Sequence, residues 1–388
     1  MRRPFRPSLD WLLVFLPVAV LLERLAPERQ VEIFVAACLA IVPLAGWMGR
    51  ATEHLAEKTG EGIGGLLNAT FGNAAELIIA LVALSRGLTE VVKASLTGSI
   101  LGNLLLVLGA ACLAGGTRHR ELRFNAAGAR MMATTLTLAA ISLVLPAAFH
   151  LLAQPAQRTE GSLSIEFSLV LLLCYGLTLL FSLRTHKQLF TGPAREAAEV
   201  GKDGHASWPL GRSLGVLAGA TALVTWTSEI LVGSIEGAAH ELGMTNLFVG
   251  VVVVAIIGNA AEHSTAVAVA WRNRMDLALG IALGSSIQIA LFVAPLLVLA
   301  SYLVSPQPMN LVFSHAEVLA IVIAVAIANQ IASDGESHWL EGAQLLAVYA
   351  LLALIFFFLP AEVPALARST DATGYRFAAA RISATLGS

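Results

Sequence analysis

The sequence "TFGNAAELII", at residues 70–79, places one carboxylate, Glu76, within an otherwise apolar stretch. The Gly-Asn pair before it disfavours a regular helix and predicts a local break. A second copy, "IIGNAAEHST" at residues 256–265, places Glu262 186 residues after Glu76. Two copies of one acidic motif in apolar segments indicate that the two carboxylates act together.

The composition is that of a membrane protein. Of the 388 residues, 57% are hydrophobic and 13% are charged, with a mean hydropathy of +0.77, whereas a soluble domain carries about 25% charged residues. The net charge of −2 gives no reason to expect a nucleic-acid partner. Cys38, Cys112 and Cys174 lie in apolar runs and match no metal-ligand spacing, so we interpret them as packing residues.

Eleven segments are apolar and long enough to cross a bilayer as helices, which need about 20 residues each. The predicted fold is therefore an all-α polytopic membrane protein with 11 transmembrane helices. The N-terminus has no small-residue cleavage site, so we interpret it as a retained first helix and not as a signal peptide. The predicted spans are 9–25, 31–49, 63–85, 95–115, 131–150, 165–184, 213–233, 247–270, 277–302, 311–332 and 338–360.

The distribution of Lys and Arg predicts the orientation, because these residues concentrate in cytoplasmic loops. They favour a cytoplasmic N-terminus and a C-terminus on the opposite side. The longest polar connection lies between the sixth and seventh spans. The predicted organisation is an N-terminal helix (1–28), a first repeat of five helices (29–185), a cytoplasmic connecting loop (186–212), a second repeat of five helices (213–360) and a C-terminal tail (361–388).

The repeat extends beyond the acidic motif. The same offset aligns Gly98-Ser99 with Gly284-Ser285. Five spans separate the two copies, so the second copy must insert in the opposite orientation. Inverted repeats with a site near the membrane midplane, at interrupted helices, are typical of secondary transporters.

The two glutamates need a neutralising partner, since a charge at the bilayer centre costs several kcal/mol. No Lys or Arg lies centrally in either span, so the partner is a proton or a cation. Carboxylates with neutral oxygens form a hard site that suits Ca²⁺. Bound Ca²⁺ and two protons would leave the same net charge, which predicts exchange with a hypothetical stoichiometry of two protons per Ca²⁺. The candidate neutral ligands are Asn73, Asn259, Ser99, Ser285, Ser286, Asn103 and Gln288.

Several of these polar residues also have a structural interpretation. Small polar side chains mediate contacts between helices in lipid, and this alternative stays open for the serines and Asn103. His263 should point away from Glu262, which favours a supporting or proton-related role over ligation. Glu229 is a candidate for lining the pathway. Other acids near span ends are interpreted as interfacial: Glu53, Glu166, Glu236, Glu241, Glu317 and Glu341.

The segments "GGLLNATFGNAAELIIAL" with "GSILGNLLLVLG", and "VGVVVVAIIGNAAEHSTAV" with "LGSSIQIALFVAP", closely resemble the two signature regions of the Ca²⁺/H⁺ antiporter family in the cation/Ca²⁺ exchanger superfamily. The resemblance implies a first helix, two inverted halves of five helices, and exchange of cytosolic Ca²⁺ for protons. It also implies Glu76 and Glu262 as the ion-binding pair, with backbone oxygens at the flanking residues Gly72, Asn73, Gly258 and Asn259.

This sequence departs from the family pattern in two places. Ala75 stands where many relatives have Thr, which removes a hydroxyl beside Glu76 and bears on cation selectivity. The connecting loop holds only Glu196, Glu199 and Asp203 as acids, so the acidic regulatory helix of some relatives is not expected.

The residue patterns bear on four other functions. Sodium-driven Ca²⁺ exchange and Na⁺(K⁺)/H⁺ exchange remain alternatives, although "GNAAEH" argues against them, and a cation channel also remains open because acidic rings select cations. An intramembrane metalloprotease would need H-E-x-x-H, and "HELGM" at 240–244 lacks the second His, so no enzyme is predicted. We expect an alternating-access transporter without a cofactor, with Ca²⁺ and H⁺ as substrates, in a bacterial inner membrane; oligomerisation is left open.

Overall fold

The computed structural model describes residues 9–153, 157–186 and 208–359. Most of the predicted connecting loop and all of the predicted C-terminal tail lie outside these ranges. The described part is almost entirely helical, and the helices up to Phe357 belong to one structural unit. The helices are α1 (Phe15–Leu25), α2 (Gln30–Phe71), α3 (Ala74–Ser85), α4 (Thr89–Arg118), α5 (Ala126–Ala153), α6 (Gln157–Leu180), α7 (Leu210–Glu241), α8 (Asn246–Gly258), α9 (Ala260–Trp271), α10 (Met275–Val304), α11 (His315–Asp334) and α12 (Trp339–Phe358).

Short irregular segments accompany these helices. A 3₁₀ segment, Leu9–Val14, precedes α1, and a π segment, Phe181–Thr185, continues α6. Three further π segments lie inside longer helices. They are Gly102–Val107 in α4, Val249–Val254 in α8 and Ile289–Val293 in α10.

The described helices are long and apolar enough for an integral membrane protein. Eight of them meet the requirement for a membrane span, and the bent pair α8 and α9 makes up to nine among the described residues. The first predicted span corresponds to the 3₁₀ segment with α1, and the third ends in the short apolar helix α3. The prediction of a helical membrane protein is confirmed at this level.

Helix α2 differs from the sequence-based prediction. The predicted connection between the second and third spans, residues 50–62, is helical, and α2 runs for 42 residues without interruption. The interruption implied between these two predicted spans is absent, because the stretch holds two Ala, three Glu and one Lys, which have high helix propensity. The apolar side chains Met48 and Leu55 are buried in a cluster with Leu217 and Val224 of α7.

The two Gly-Asn pairs interrupt helices as predicted. Helix α2 ends at Phe71, and Asn73, with φ −100° and ψ 22°, precedes α3. Asn259 has nearly the same conformation, with φ −99° and ψ 7°, and α8 and α9 meet there at a bend of 60°. The two motifs therefore produce the same local backbone geometry.

Other backbone irregularities also recur at the 186-residue offset. Gly87 (φ 77°) and Asn273 (φ 62°) both have positive φ, two residues before the first residue of α4 and of α10. The π segments of these two helices end at Val107 and Val293, again 186 residues apart. Positions 186 residues apart thus share turns and helical defects as well as sequence.

Helices α4 and α8 approach each other closely at two glycines. A Cβ added to Gly98 would lie 2.0 Å from the carbonyl oxygen of Val251, and one added to Gly250 would lie 2.5 Å from the Cβ of Ala94. Only glycine permits backbones to approach this closely. The contact fixes α4, which carries Ser99, against the helix that leads to Asn259.

A short two-stranded sheet joins two loops at one end of the bundle. Strands β1 (Leu122–Arg123) and β2 (Glu336–Ser337) pair in antiparallel fashion. Beside them, the backbone N–H of Asn125 donates to Oδ1 of Asp276 at 2.6 Å. The sheet connects the segment after α4 with the segment between α11 and α12.

Candidate carboxylate site at the helix breaks

Glu76 lies in the first turn of α3, directly after the first break, and is partly buried. The Ser99 hydroxyl donates to its Oε1 at 2.5 Å, and the Asn259 side-chain amide donates to the same oxygen. Asn259 also donates to the Ser99 hydroxyl oxygen at 3.0 Å. An added Cβ at Gly258 would lie 3.0 Å from Cγ of Glu76. Glu76 therefore packs against the second Gly-Asn break.

Glu262 occupies the corresponding position in the first turn of α9 and is also partly buried. The Ser285 hydroxyl donates to its Oε2 at 2.7 Å. Ser285 follows Glu262 by 23 residues, as Ser99 follows Glu76. The two serines that the sequence repeat aligns therefore have equivalent glutamate partners.

The asparagines break this equivalence. Asn259 donates to Glu76, but Asn73 donates to Oε1 of Gln288 at 2.6 Å. The position 186 residues before Gln288 is Gly102, which has no side chain to offer. The two glutamates are thus held differently: Glu76 by a hydroxyl and an amide, and Glu262 by a hydroxyl.

Two oxygens of this cluster remain available to a substrate. Among the described residues, Oε2 of Glu76 and Oδ1 of Asn73 are buried and have no hydrogen-bond partner. Buried polar atoms are otherwise nearly always hydrogen-bonded. A carboxylate oxygen and an amide oxygen are ligands that suit a hard cation, and the carboxylate also suits a proton.

The backbone oxygens of the two breaks are less available than their position in the sequence suggests. The carbonyl of Asn73 accepts a hydrogen bond from the N–H of Leu77 at 3.0 Å, and that of Asn259 accepts from His263 at 2.9 Å. Gly72 follows the end of α2 and is exposed. The asparagine side chains, more than their carbonyls, therefore shape the site.

A small cavity adjoins Glu76 between α3, α4, α8 and α10. Ser95 and Ser99 contribute its hydroxyl groups, and the remaining walls are largely apolar. Ser95 lies one helical turn before Ser99 on α4, so both hydroxyls are on the same face. The full lining is Glu76, Ile79, Ala80, Ser95, Leu96, Ser99, Val254, Ala255, Gly258 and Val293.

The other predicted residues have mixed positions. Ser286 donates its hydroxyl to the carbonyl of Ala282 at 2.9 Å, within its own helix. Asn103 lies in the π segment of α4, and neither of its side-chain polar atoms has a hydrogen-bond partner among the described residues. His263 Nε2 is buried and also unpartnered within the described part of the chain. Glu229 is exposed on α7, which contacts α3.

Sequence reasoning missed a further buried carboxylate, Glu317, outside the glutamate pair. Glu317 was interpreted as interfacial, but it is only 1% exposed. Its Oε1 accepts from the Thr97 hydroxyl at 3.0 Å, and its Oε2 accepts from the N–H of Ser314 at 2.9 Å in a capping box of α11. Glu317 does lie near the end of a span, in the first turn of α11, but its side chain is buried against α4. The signal for the cap was present as Ser314 three residues before Glu317.

Lys93 is a buried cation away from the glutamate pair. Its Nζ donates to Oδ1 of Asn310 at 2.7 Å and to the carbonyl of Val312 at 2.9 Å. It also lies 3.3 Å from Glu90 Oε1, an exposed carboxylate. These contacts fix the loop before α11 to α4, so we assign Lys93 a structural role.

Together these features describe a polytopic helical membrane protein in which two carboxylates each follow a helix break, and one of them, Glu76, packs against the second break. The chain belongs to the sodium/calcium exchanger protein family, whose model matches residues 30–184 and 212–358. The relationship covers both halves of the chain.

Curated relatives and a solved structure are similar over most of the length. The chain is 47% identical to a Ca²⁺/H⁺ antiporter of Aphanothece halophytica over 364 residues, which cover 90% of this chain and 96% of that protein. It is 45% identical to a Ca²⁺/H⁺ antiporter of Bacillus subtilis, with 84% and 92% covered. The crystal structure of the Ca²⁺/H⁺ antiporter protein YfkE matches with a TM-score of 0.77 and 40% identity, covering 90% of this chain and 98% of that chain.

Proposed function

We propose that this protein is a Ca²⁺/H⁺ antiporter, a secondary active transporter that moves Ca²⁺ across the membrane against protons. The match to the relatives named Ca²⁺/H⁺ antiporter extends over more than nine-tenths of their length. The observation that carries the proposal is the pair of carboxylates held by Ser99 and Ser285 at the two helix breaks. The chemistry belongs to the transported ions, and no cofactor is required.

The proposed ion site consists of Glu76 and Glu262 with the side-chain oxygen of Asn73. The Glu76 Oε2 and Asn73 Oδ1 atoms support this assignment, since both are buried without hydrogen-bond partners among the described residues. Ser99, Asn259 and Ser285 orient the carboxylates through the hydrogen bonds described above. Gln288 acts by holding the Asn73 amide so that its oxygen stays free.

Competition for the carboxylates would couple the two substrates. Two carboxylates with Ca²⁺ and two carboxylates with two protons carry the same net charge. The empty, doubly charged site would be costly to carry through the apolar interior. Each transition between inward-facing and outward-facing states therefore occurs with one load or the other, which is alternating access with exchange.

We further propose the predicted architecture and orientation for the whole chain. This comprises 11 spans, formed by the helix at 1–28 and inverted five-helix repeats at 29–185 and 213–360. The recurrence of breaks, positive-φ turns and π segments at one sequence offset supports the repeat. The loop 186–212 is assigned to the cytoplasm and the tail 361–388 to the opposite side of a bacterial inner membrane.

The direct test is Ca²⁺ uptake into proteoliposomes under an imposed pH gradient. We expect uptake that follows the pH gradient and is accompanied by proton movement in the opposite direction. Uptake that follows a Na⁺ gradient and ignores the pH gradient would identify sodium-driven exchange instead. Ca²⁺ flux without proton counter-movement, with single-channel currents, would identify a channel.

Charge-removing variants test the assignment of the site. Glu76→Gln and Glu262→Gln keep the side-chain size and remove the negative charge, and each should abolish uptake driven by the pH gradient. The matched control is Glu336→Gln, because this carboxylate is exposed in β2. Near-normal transport by either site variant, with normal insertion, would refute the paired-carboxylate site.

A further inference from the structure

A cavity at one end of the bundle carries basic groups that the proposed ion site does not use. It has a volume of about 410 Å³ and lies where α4 ends and α12 begins. Its walls contain two arginines, a histidine and an indole. The lining residues are Gly116, Thr117, Arg118, His119, Arg120 and Trp339.

Two tryptophans place this cavity at the membrane surface. Trp339 begins α12 and is 52% exposed, and Trp271 ends α9 and is 47% exposed. The Arg118 guanidinium carbon lies 5.5 Å from the centre of the Trp271 ring. Exposed tryptophans at the ends of apolar helices are typical of the headgroup level of a bilayer. The basic groups are therefore at the depth of lipid phosphates.

Nearby acidic groups do not neutralise the two arginines. Among the described residues, Arg118 and Arg120 form no ion pair. Glu121 is paired with Arg123 at 2.9 Å, and Glu341 accepts a hydrogen bond from the N–H of His338 at 3.3 Å. Arg118 lies in the last turn of α4, where its positive charge interacts favourably with the partial negative charge of the helix C-terminus. Arg120 lies beyond the helix.

We propose that this cavity binds the headgroup of an anionic phospholipid. The Arg118 and Arg120 guanidinium groups would contact the phosphate, and Trp339 and Trp271 would lie beside the glycerol and the first acyl carbons. Basic pockets between transmembrane helices bind acidic headgroups in this way. The open, tryptophan-flanked position favours a lipid over a free anion. In the proposed orientation, the lipid belongs to the cytoplasmic leaflet.

The test is a binding measurement and does not depend on transport. Full-length protein in detergent would be titrated with short-chain phosphatidylglycerol, phosphatidylcholine or inorganic phosphate, and bound lipid would be counted by native mass spectrometry. We expect tighter binding of phosphatidylglycerol than of phosphatidylcholine, with no competition from millimolar phosphate. Equal binding of the two lipids, or displacement by phosphate alone, would overturn the proposal.

Variants locate the site on the protein. Arg118→Gln with Arg120→Gln should weaken phosphatidylglycerol binding roughly 25-fold, at about fivefold per basic residue. Arg123→Gln is the matched control, since Arg123 is paired with Glu121 and does not line the cavity; it should change binding less than twofold. Trp339→Ala should weaken binding without a change of charge.

A folding control keeps this result interpretable. Thermal unfolding in phosphatidylcholine should be the same for the double variant and the Arg123 control. Equal loss of binding in both, or full binding by the double variant, would refute the assignment.

Discussion

Replacing Gly98 with alanine tests how closely the ion site depends on the packing of α4 against α8. The added Cβ would lie 2.0 Å from the Val251 carbonyl oxygen, and real Cβ contacts essentially never fall below 3.0 Å. The two helices must therefore separate locally by about 1 Å. Ser99, the next residue, now accepts a hydrogen bond from Asn259 at 3.0 Å. A separation of about 1 Å would stretch this bond beyond hydrogen-bonding distance.

The expected magnitude follows from that clash. Overpacking costs about 1–3 kcal/mol, which corresponds to roughly a 5- to 150-fold loss of the native arrangement. In proteoliposomes, the initial rate of pH-gradient-driven Ca²⁺ uptake at subsaturating Ca²⁺ should therefore fall at least about fivefold. The melting temperature should fall as well, since the contact is structural.

The second repeat supplies a matched control. Gly284 is the residue 186 positions after Gly98, but a Cβ added there has no atom within 4 Å. Gly284→Ala should leave uptake unchanged and stabilise α10 slightly, because alanine favours a helix by about 1 kcal/mol over glycine. Equal behaviour of the two variants would refute the reasoning, as would wild-type uptake by Gly98→Ala.

Three further predictions rest on single contacts. Ser285→Ala should raise the apparent Michaelis constant for Ca²⁺ more than Ser99→Ala does, because Glu76 keeps its hydrogen bond from Asn259 when Ser99 is replaced. Hydrogen bonds to charged groups contribute about 1.5–3 kcal/mol. Equal effects of the two variants in uptake assays would contradict this. Gly258→Ala should weaken Ca²⁺ uptake with little loss of thermal stability, since its Cβ would press on Cγ of Glu76 at 3.0 Å. Thr97→Val should lower the free energy of unfolding by about 1–3 kcal/mol, because the buried Glu317 carboxylate loses the hydrogen bond from the Thr97 hydroxyl. An unchanged melting temperature would show that this bond is dispensable.

The helix breaks and the equivalence of the two serines could be predicted from sequence alone. Gly-Asn has low helix propensity, and the repeat offset aligns Ser285 with Ser99. This is why the contact of Ser285 with Glu262 matches that of Ser99 with Glu76. Both inferences depend on short stretches of chain.

The partners of the asparagines could not be predicted, because they depend on how the two halves meet. The sequence treats Asn73 and Asn259 as equivalent, yet Asn73 donates to Gln288. In the sequence, Gly98 only helps to define the repeat. In the structure, its lack of a side chain permits the close approach of α4 to the Val251 backbone of α8. Such contacts depend on how the helices pack against each other, which the pattern of hydrophobic residues does not reveal.

The length of α2 illustrates the opposite error. Polarity suggested a connection at residues 50–62, but the residue types there favour a helix. Hydropathy reports where a segment is apolar and does not report where a helix ends.

The π segments of α4 and α10 mark the places where these helices can lose one residue. A π turn holds one residue more than the α-helical path needs, so deletion of a single residue between Gly102 and Val107 would restore a regular helix and keep the parts before and after it in the same orientation. Ser99 would keep its place beside the Glu76 carboxylate. The corresponding segment of α10, Ile289–Val293, gives the same tolerance after Ser285. A residue removed from a regular α-helical stretch of either helix would instead rotate one part against the other by about 100°. Length changes within these two helices should therefore be confined to the π segments.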